Sequence, residues 1–402
     1  MKIFLRMPKT IWVLGFVSLF MDISSGMVQS LLPLFLVTTL GANILTVGII
    51  EAVAAITVAI VKIFSGTLSD YLGKRKELAL VGYGLSAIAK PLFAIAINPV
   101  WVFIAYFGDR VGKGIRVAPR DALIADAIDL KDRGAAYGLR QSLDTIGGFL
   151  GPILAFSLMS FSNNNFRFVF ATTLIPGLLS VGCLAIGVKE LKQKSNKSIE
   201  VAKNNPFNFK ILTGLSQEYW LLVIVAFIFG LGNYSNAFLL LRAEEIGISP
   251  SIVPLTLVVT NIAYFFSAYP AGILSDCFDR TKILIGGFLL YGLVYFGFAL
   301  VQTPGLIWIL FALYGIHLGT NKGILAALIA DRVPTSLRGT AFGFFNLAVG
   351  LSIFLASILA GLVWQLANPS LAFAIGGLFA VLATLILSFP NLLIIFITKD
   401  RF

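Results

Sequence analysis

The chain has 402 residues, of which 58% are hydrophobic and only 12% are charged, and its mean hydropathy is +0.93. Soluble domains carry roughly 25% charged residues, so this composition excludes soluble domains, a disordered chain and a small disulfide-stapled secreted protein. The net charge of +11 does not indicate a nucleic-acid-binding protein, because most basic residues lie in short hydrophilic breaks between apolar runs.

Twelve apolar runs predict an all-α polytopic membrane protein, because a helix needs about 20 apolar residues to cross a bilayer and lipid forces the backbone to pair within each segment. The first run lacks a small-residue cleavage site, so it is expected to be a span and not a removed signal peptide. The runs cover 11–39, 46–69, 78–97, 99–126, 135–161, 165–188, 218–242, 249–275, 282–302, 304–330, 339–366 and 369–397.

The basic residues fall almost entirely on one side of these spans. Twenty Lys and Arg lie at the two termini, in the breaks after spans 2, 4, 8 and 10, and in the long break after span 6, whereas the other side holds only Arg167 and Arg242. By the positive-inside rule, both termini and the middle loop are expected in the cytoplasm. We expect an N-terminal bundle over 1–188, a basic cytoplasmic linker over 189–217 and a C-terminal bundle over 218–402. A solvated linker with a lipid-facing helix is favoured there over a binding module.

Three sequence stretches recur at an offset of 205 or 206 residues. Ser65–Asp70 matches Ala271–Asp276, Ala122–Asp126 matches Ala327–Asp331, and Arg133–Gly138 matches Arg338–Gly343. The repeat predicts two six-helix halves of one design, related by an axis along the membrane normal. In such proteins a central cavity opens alternately to either side of the membrane.

The first repeated stretch resembles a known loop motif. Gly66-x-Leu68-Ser69-Asp70-x-x-Gly73-Lys74-Arg75-Lys76 is similar to the loop 2/3 motif of the major facilitator superfamily, although Tyr71 stands where that family usually has Arg, and Asp279 replaces its Gly in the second copy. The resemblance implies a secondary transporter with twelve helices in 6+6 halves. Asp22-x-Ser24-Ser25, the run from Asp109 to Arg116, and Pro119-Arg120-Asp121-Ala122 also resemble a bacterial subgroup that includes candidate iron–siderophore importers.

The loop motif has two interpretations. Gly66 is expected to allow close helix approach, and Asp70, at a helix C-terminus, needs a partner such as another helix N-terminus or Arg133. The motif is either a conformational latch between the states of the transporter or a loop that only sets topology. The residues assigned to this element are Gly66, Asp70, Gly73, Lys74, Arg75, Arg133 and Asp276.

Thirteen charged residues lie within the predicted spans, where each is costly unless it faces a cavity or another charge. They are Lys62, Lys90, Arg110, Lys113, Arg116, Arg120, Arg140 and Lys322, with Asp22, Glu51, Asp109, Asp121 and Asp144. In span 4, Asp109, Lys113, Arg116 and Arg120 are spaced to form one helical stripe.

Arginine suits the bidentate capture of a carboxylate or phosphate, so the stripe predicts a binding surface for an anionic solute. The residues expected to bind it are Arg116, Lys62, Lys113 and Arg120, with Lys322 and Asn236 from the C-terminal half. The alternative is an internal ion-pair network between spans 1, 2, 4 and 5, with Arg140 paired to Asp144 at i, i+4.

Two acids are candidates for proton coupling. Asp22 is a lone carboxylate in an apolar first span, and Glu51 lies about three helical turns from Lys62. Pairing with a cationic neighbour is the alternative for each. In the C-terminal half, His317 and the polar residues Asn233, Tyr234, Asn236, Tyr291, Tyr295 and Tyr314 are more typical of packing and interhelical hydrogen bonds than of ligand contacts.

These features predict a monomeric secondary transporter in the bacterial inner membrane that imports a small anionic solute, a carboxylate or an iron–siderophore complex, together with protons. The alternatives are a proton-driven drug or metabolite efflux antiporter and a non-transporting receptor or scaffold. No enzyme, cofactor, metal site, disulfide or nucleic-acid partner is expected.

Overall fold

The computed structural model describes residues 7–129, 132–188, 215–334 and 337–389. Every regular element in these ranges is helical, which confirms the predicted all-α class. Most of the predicted linker and the last 13 residues lie outside the described residues.

The N-terminal half forms seven α-helices, and α1 continues as a π-helix over Phe35–Thr39, while a 3-10 turn over Pro91–Ile95 follows α3. The seven are α1 (Lys9–Leu34), α2 (Ile44–Leu72), α3 (Arg75–Ala89), α4 (Pro99–Asp126), α5 (Arg133–Phe161), α6 (Phe166–Thr172) and α7 (Leu174–Gly187).

The described part of the C-terminal half forms seven more, which are α8 (Gln217–Gly232), α9 (Asn236–Glu245), α10 (Pro254–Cys277), α11 (Arg280–Leu300), α12 (Pro304–Arg332), α13 (Arg338–Leu366) and α14 (Pro369–Ser388). The predicted sixth span is α6 with α7, and the seventh is α8 with α9, so all twelve predicted spans are present as helices.

Ten of these spans are long and apolar enough, among the described residues, to cross a membrane by length and composition. The other two predicted spans are α4 and α12. Helix α4 carries seven charged residues between Asp109 and Asp126, so its hydropathy is low. A helix this polar crosses a bilayer only when neighbouring helices cover its charges.

The chain divides into two compact units. Unit 1 comprises Met1–Ala42, Val53–Asn204 and Ser249–Val258, and unit 2 comprises Asn43–Ala52, Asn205–Ile248 and Val259–Phe402. In unit 1, α1 packs along α5 and α3 along α4, whereas in unit 2 α11 packs along α14 and α12.

Span 7 is broken inside unit 2, which the sequence did not predict. The chain leaves the helix at Asn233 and re-enters it after Ser235, whose Oγ accepts a hydrogen bond from Ala237 N at 3.3 Å. Tyr295 Oη accepts from Tyr234 N at 3.2 Å, and Tyr291 Oη donates to Gly232 O at 2.8 Å. Irregular backbone is tolerated at membrane depth only when its polar groups are satisfied, so these tyrosines hold the break.

The two basic residues predicted on the outer side each bond carbonyls near the end of a helix. Arg167 donates to Ala94 O at 2.9 Å, and Arg242 donates to Phe298 O and Val301 O, both at 3.1 Å. Arg242, the last residue of the predicted span 7, lies buried within α9, which continues to Glu245. Cations are favourable where helix carbonyls end.

Candidate functional site

Charged side chains converge around α4 in unit 1, and we call the following set the α4 cluster. It contains six cations and four carboxylates, which leaves two excess positive charges. Its members are Lys90, Arg110, Lys113, Arg116, Arg120 and Arg140, with Asp22, Asp109, Asp121 and Asp144.

Close helix contacts place these charges away from lipid. A Cβ on Gly82 of α3 would lie 2.7 Å from Arg116 N, and a Cβ on Gly114 of α4 would lie 2.6 Å from Val61 Cβ of α2. Glycine at both positions therefore lets α2 and α3 press against the charged part of α4.

One end of the cluster is a buried triad. Asp109 Oδ1 lies 3.4 Å from Lys90 Nζ, and Asp109 Oδ2 lies 3.0 Å from Arg110 Nη2, with the side chains of Lys90 and Asp109 1% and 3% exposed. Lys90 also contacts Met21 Sδ at 2.9 Å, and the Arg110 guanidinium stacks on the Tyr106 ring. This triad is an internal ion-pair network, but it joins the end of α3 to α4, whereas the alternative interpretation named spans 1, 2, 4 and 5.

The other end joins α1, α4 and α5. Arg120 bonds Asp121 Oδ1 at 3.0 Å and Ser18 Oγ at 3.3 Å. Arg140 lies 3.5 Å from Asp121 Oδ1 and 3.2 Å from Asp144 Oδ2. The predicted pairing of Arg140 with Asp144 is present, and Arg120, expected to bind substrate, is held by an acid of its own helix.

Lys113 and Arg116 differ from these cations, because neither contacts a carboxylate among the described residues. The Arg116 guanidinium donates to Ser86 Oγ and lies 5.0 Å from the centroid of the Tyr83 ring. These neutral contacts orient the guanidinium and leave its charge uncompensated at contact distance. Lys62, on α2, is exposed, and its side chain makes no hydrogen bond or ion pair with a described residue.

Asp22 lies on α1, near both the cations that contact a carboxylate and those that do not. It packs against α5, where a Cβ on Gly147 would lie 3.0 Å from Asp22 Cβ. It acts electrostatically on Lys113, Arg116 and Arg120, yet it forms no hydrogen bond or ion pair within the described part of the chain. Asp144 interacts electrostatically with Asp22. The sequence analysis assigned Asp144 only a pairing with Arg140.

Glu51 lies in the N-terminal part of α2 that belongs to unit 2, and Ser235 Oγ donates to Glu51 Oε2 at 2.7 Å. Since Ser235 also caps α9, the predicted coupling acid contacts the break in span 7. The sequence contained no sign of this contact, because it joins residues 184 positions apart.

The polar residues of unit 2 are mostly engaged in packing, as the sequence analysis favoured. His317 Nδ1 donates to Gly287 O at 2.8 Å, and its ring centroid lies 4.7 Å from that of Tyr291. Asn236 Oδ1 accepts from Tyr314 Oη at 3.2 Å, while the Asn236 side chain stays exposed at the start of α9. The side chain of Lys322 lies outside the described residues, so its expected role in binding stays a prediction.

The loop motif contains an ion pair that the sequence analysis did not identify. Arg75 pairs with Asp126, and Arg280 pairs with Asp331 at 2.5 Å, so the same contact recurs in both halves at an offset of 205 residues. The recurrence of Asp126 and Asp331 at equivalent repeat positions was the signal available in the sequence. Lys74 pairs with the nearby Glu77.

One expectation for the motif needs correction. A Cβ on Gly66 would lie 3.6 Å from Ala118 Cβ, which is ordinary contact, so close approach does not require glycine there. The position of Gly73 does favour glycine, because its backbone φ of 63° lies in the left-handed region. Arg133 donates to Ala125 O at 3.1 Å. The side chains of Asp70 and Asp276 lie outside the described residues, so their partners stay predictions.

A membrane-embedded, two-unit helical chain with charged residues gathered inside one unit is typical of membrane transport proteins. The sequence profile of the Major Facilitator Superfamily matches residues 14–241 and 221–393. The chain therefore belongs to the major facilitator superfamily of transporters, and it is a multi-pass membrane protein.

Two relatives and one solved structure illustrate its place in that family. An uncharacterised MFS-type transporter of Methanocaldococcus jannaschii is 32% identical over 393 residues, covering 96% of this chain and 95% of the relative. The gentisate transporter of Corynebacterium glutamicum is 29% identical over 363 residues, which cover 85% of this chain and 78% of the relative. The crystal structure of the nucleoside transporter NupG superposes with a TM-score of 0.76 at 14% identity, and the match covers 94% of this chain and 98% of that one.

Proposed function

We propose that the chain imports a small carboxylate-bearing anion together with protons across the bacterial inner membrane, by alternating access and as a monomer. Both termini then lie in the cytoplasm, where the excess of basic residues is retained. A proton gradient supplies the driving force, with Asp22 and Glu51 as coupling acids.

The observation that carries the proposal is the uncompensated charge of Lys113 and Arg116. The other four cations of the α4 cluster each lie within ion-pair distance of an acid. A charge kept unpaired within a membrane protein is costly and marks a functional site. An anionic solute completes the pairing, with Arg116 offering a planar donor group to a carboxylate.

Two further observations support an organic acid as cargo. The relative from Corynebacterium glutamicum transports gentisate, an aromatic carboxylate. The Arg116 guanidinium also lies over the Tyr83 ring and is buried, so the donor group is oriented in advance at a place where water competes little for a carboxylate. The span 1 and span 4 motifs that resemble siderophore importers add iron–siderophore complexes to the anions worth testing.

Thermal unfolding of the purified protein tests the binding step directly, because a ligand that binds the native state raises its stability by mass action. The probes are gentisate, a panel of other carboxylates, ferric siderophores and cationic drugs. We expect at least one anion to raise Tm in the wild type and in Lys282→Gln, an exposed-lysine control. The same anion should leave Tm unchanged in Arg116→Ala and Lys113→Gln.

Stabilisation by cationic drugs with no response to any anion would contradict the proposal and favour an efflux antiporter. An anion that still stabilises both variants would contradict the assignment of the site. Binding without any flux in proteoliposomes would identify a receptor or scaffold.

A further inference from the structure

A large apolar groove runs along the lipid-facing surface of unit 1, between α1 and α7. Its volume is about 790 Å³, and nearly all of its lining is apolar. The wall on α1 is formed mainly by Phe16 and Phe20, and the wall on α7 by Leu178, Cys183 and Ile186.

The shape of the groove is built into the sequence. Trp12, Phe16 and Phe20 are spaced four residues apart, and their rings stack at centroid distances of 6.3 and 6.4 Å. On the opposite wall, a Cβ on Gly182 would have no atom within 4 Å, so the groove is open there, whereas a Cβ on Gly187 would lie 2.6 Å from Val13 Cγ1. The two helices are in contact at Gly187 and again at Ser180, whose Oγ donates to Val17 O at 2.7 Å, so the groove is a surface cleft along a packed helix pair.

The length of the groove matches one leaflet of a bilayer. The lining residues of α7 extend from Ile175 to Gly187, which is roughly 18 Å of helix at 1.5 Å per residue. Half of a hydrocarbon core of ~30 Å is about 15 Å. A single acyl chain of that leaflet therefore has the length to lie along the groove.

Two lysines lie near the end of the groove that is marked by Gly187 and Val13. Lys76 Nζ donates to Ala185 O at 2.8 Å, which places the ammonium beside Ile186 of the groove. Lys9, the exposed first residue of α1, precedes Val13 by one helical turn. Trp12, three residues after Lys9 on α1, stacks on Phe16, and tryptophan is enriched where membrane helices meet the headgroups.

We propose that this groove binds an anionic phospholipid, with one acyl chain along Phe16, Phe20 and Gly182 and the phosphate between Lys9 and Lys76. The apolar lining selects a hydrocarbon chain, and the lysine pair selects negative charge in the headgroup. The site is separate from the α4 cluster and is independent of the cargo that the transporter carries.

The native Cys183 reports occupancy, because it lines the groove. In detergent-purified Cys277→Ser protein, maleimide alkylation of Cys183 is followed while phosphatidylglycerol or phosphatidylcholine with identical chains is added. We expect phosphatidylglycerol to protect Cys183 at a concentration roughly thirtyfold lower than phosphatidylcholine needs. The factor follows from two lysines, each of which favours an anionic headgroup by about fivefold. Lys9→Gln combined with Lys76→Gln should abolish this preference, whereas Lys282→Gln should keep it.

Filling the groove provides the second arm. Gly182→Leu places a side chain in open space, so it should remove the bound phosphatidylglycerol that native mass spectrometry detects on the intact wild-type chain. Gly84→Leu is the matched control, since a Cβ on Gly84 of α3 also meets no atom within 4 Å, and it should retain the lipid.

Equal protection by both lipids would overturn the proposal, because the headgroup would then not be selected. Protection of Cys183 in lipid-free protein, unchanged by added lipid, would also overturn it and would assign the groove to another segment of this chain. Lipid retention by Gly182→Leu equal to that of Gly84→Leu would contradict the location.

Discussion

Charge pairing at single residues separates structure from function in the α4 cluster. Asp109 lies between Lys90 and Arg110, and all three side chains are buried. Lys113 and Arg116 lie on the same helix without an acid at contact distance in the described chain. The same residue types are thus paired in one part of α4 and unpaired with carboxylates in another, and only the geometry distinguishes them.

The triad should be a stability element. Asp109→Asn leaves two buried cations without their carboxylate, and breaking a buried pair costs about 3–5 kcal/mol. We expect a large fall in Tm, or loss of folded protein, measured by thermal unfolding in detergent. Asp121→Asn is the control because the Asp121 side chain is 37% exposed. Equal and small effects from both variants would contradict the structural role.

The coupling acid should reveal itself in the pH dependence of transport. Asp22 is close enough to act electrostatically on Lys113 and Arg116. A proton on Asp22 removes the nearby negative charge and so raises the positive potential that an incoming anion meets. Asp22→Asn should therefore bind anion at least as tightly as the wild type, while its uptake no longer responds to an imposed pH gradient. An unchanged response to the gradient in proteoliposomes would remove Asp22 from the mechanism.

At the scale of helices, span 7 shows how side chains replace backbone hydrogen bonds. The break at Asn233–Ser235 is held by Tyr295 and Tyr291 from α11. The sequence indicated a continuous span over 218–242, because hydropathy does not detect a short break. The bonds of Tyr234 N and Gly232 O at this break go to tyrosines about 60 residues further along the chain.

Removing one of these hydroxyls should cost stability. Tyr295→Phe removes one of the two acceptors of Tyr234 N and leaves only Gly232 O at 3.1 Å, and losing a hydrogen bond costs about 0.5–1.5 kcal/mol. We expect a lower Tm than for Tyr71→Phe, whose side chain is 86% exposed. A Tm equal to that of this control would show that the backbone at the break is satisfied in another way.

At the scale of the whole molecule, the internal repeat was the most informative feature of the sequence. It predicted two six-helix halves, and the structure places the Arg75–Asp126 and Arg280–Asp331 pairs at equivalent positions in each. Ten of the spans among the described residues also follow from hydropathy, because lipid imposes a similar length and one class of element on every crossing segment.

The site was less predictable than the fold. The helical spacing of Lys113, Arg116 and Arg120 placed these three cations on one face of α4, but the spacing alone did not show that Arg120 is paired and Arg116 is not. That distinction depends on rotamers and on acids from other helices, such as Asp144 of α5. Contacts between distant segments, such as Ser235 with Glu51, leave no local pattern to detect.

The repeated ion pair offers a test of the symmetry. Asp126→Asn and Asp331→Asn each remove one copy, and surface pairs contribute only about 0–1 kcal/mol to stability. We expect little change in Tm from either variant but a slower transport cycle from both, measured as initial uptake rates. Asp129→Asn, also exposed and outside the pair, is the control. Unchanged rates in both variants would limit the loop motif to setting topology.

The claim that the unpaired cations of α4 bind an anionic cargo is tested most directly by solute uptake into proteoliposomes. Radiolabelled gentisate and a panel of other carboxylates are supplied outside, with an inward proton gradient imposed. The account predicts that the wild type accumulates at least one of these anions and that Lys113→Gln, folded to the same yield, does not. Equal accumulation by the two proteins, or uptake of cationic solutes alone, would contradict it.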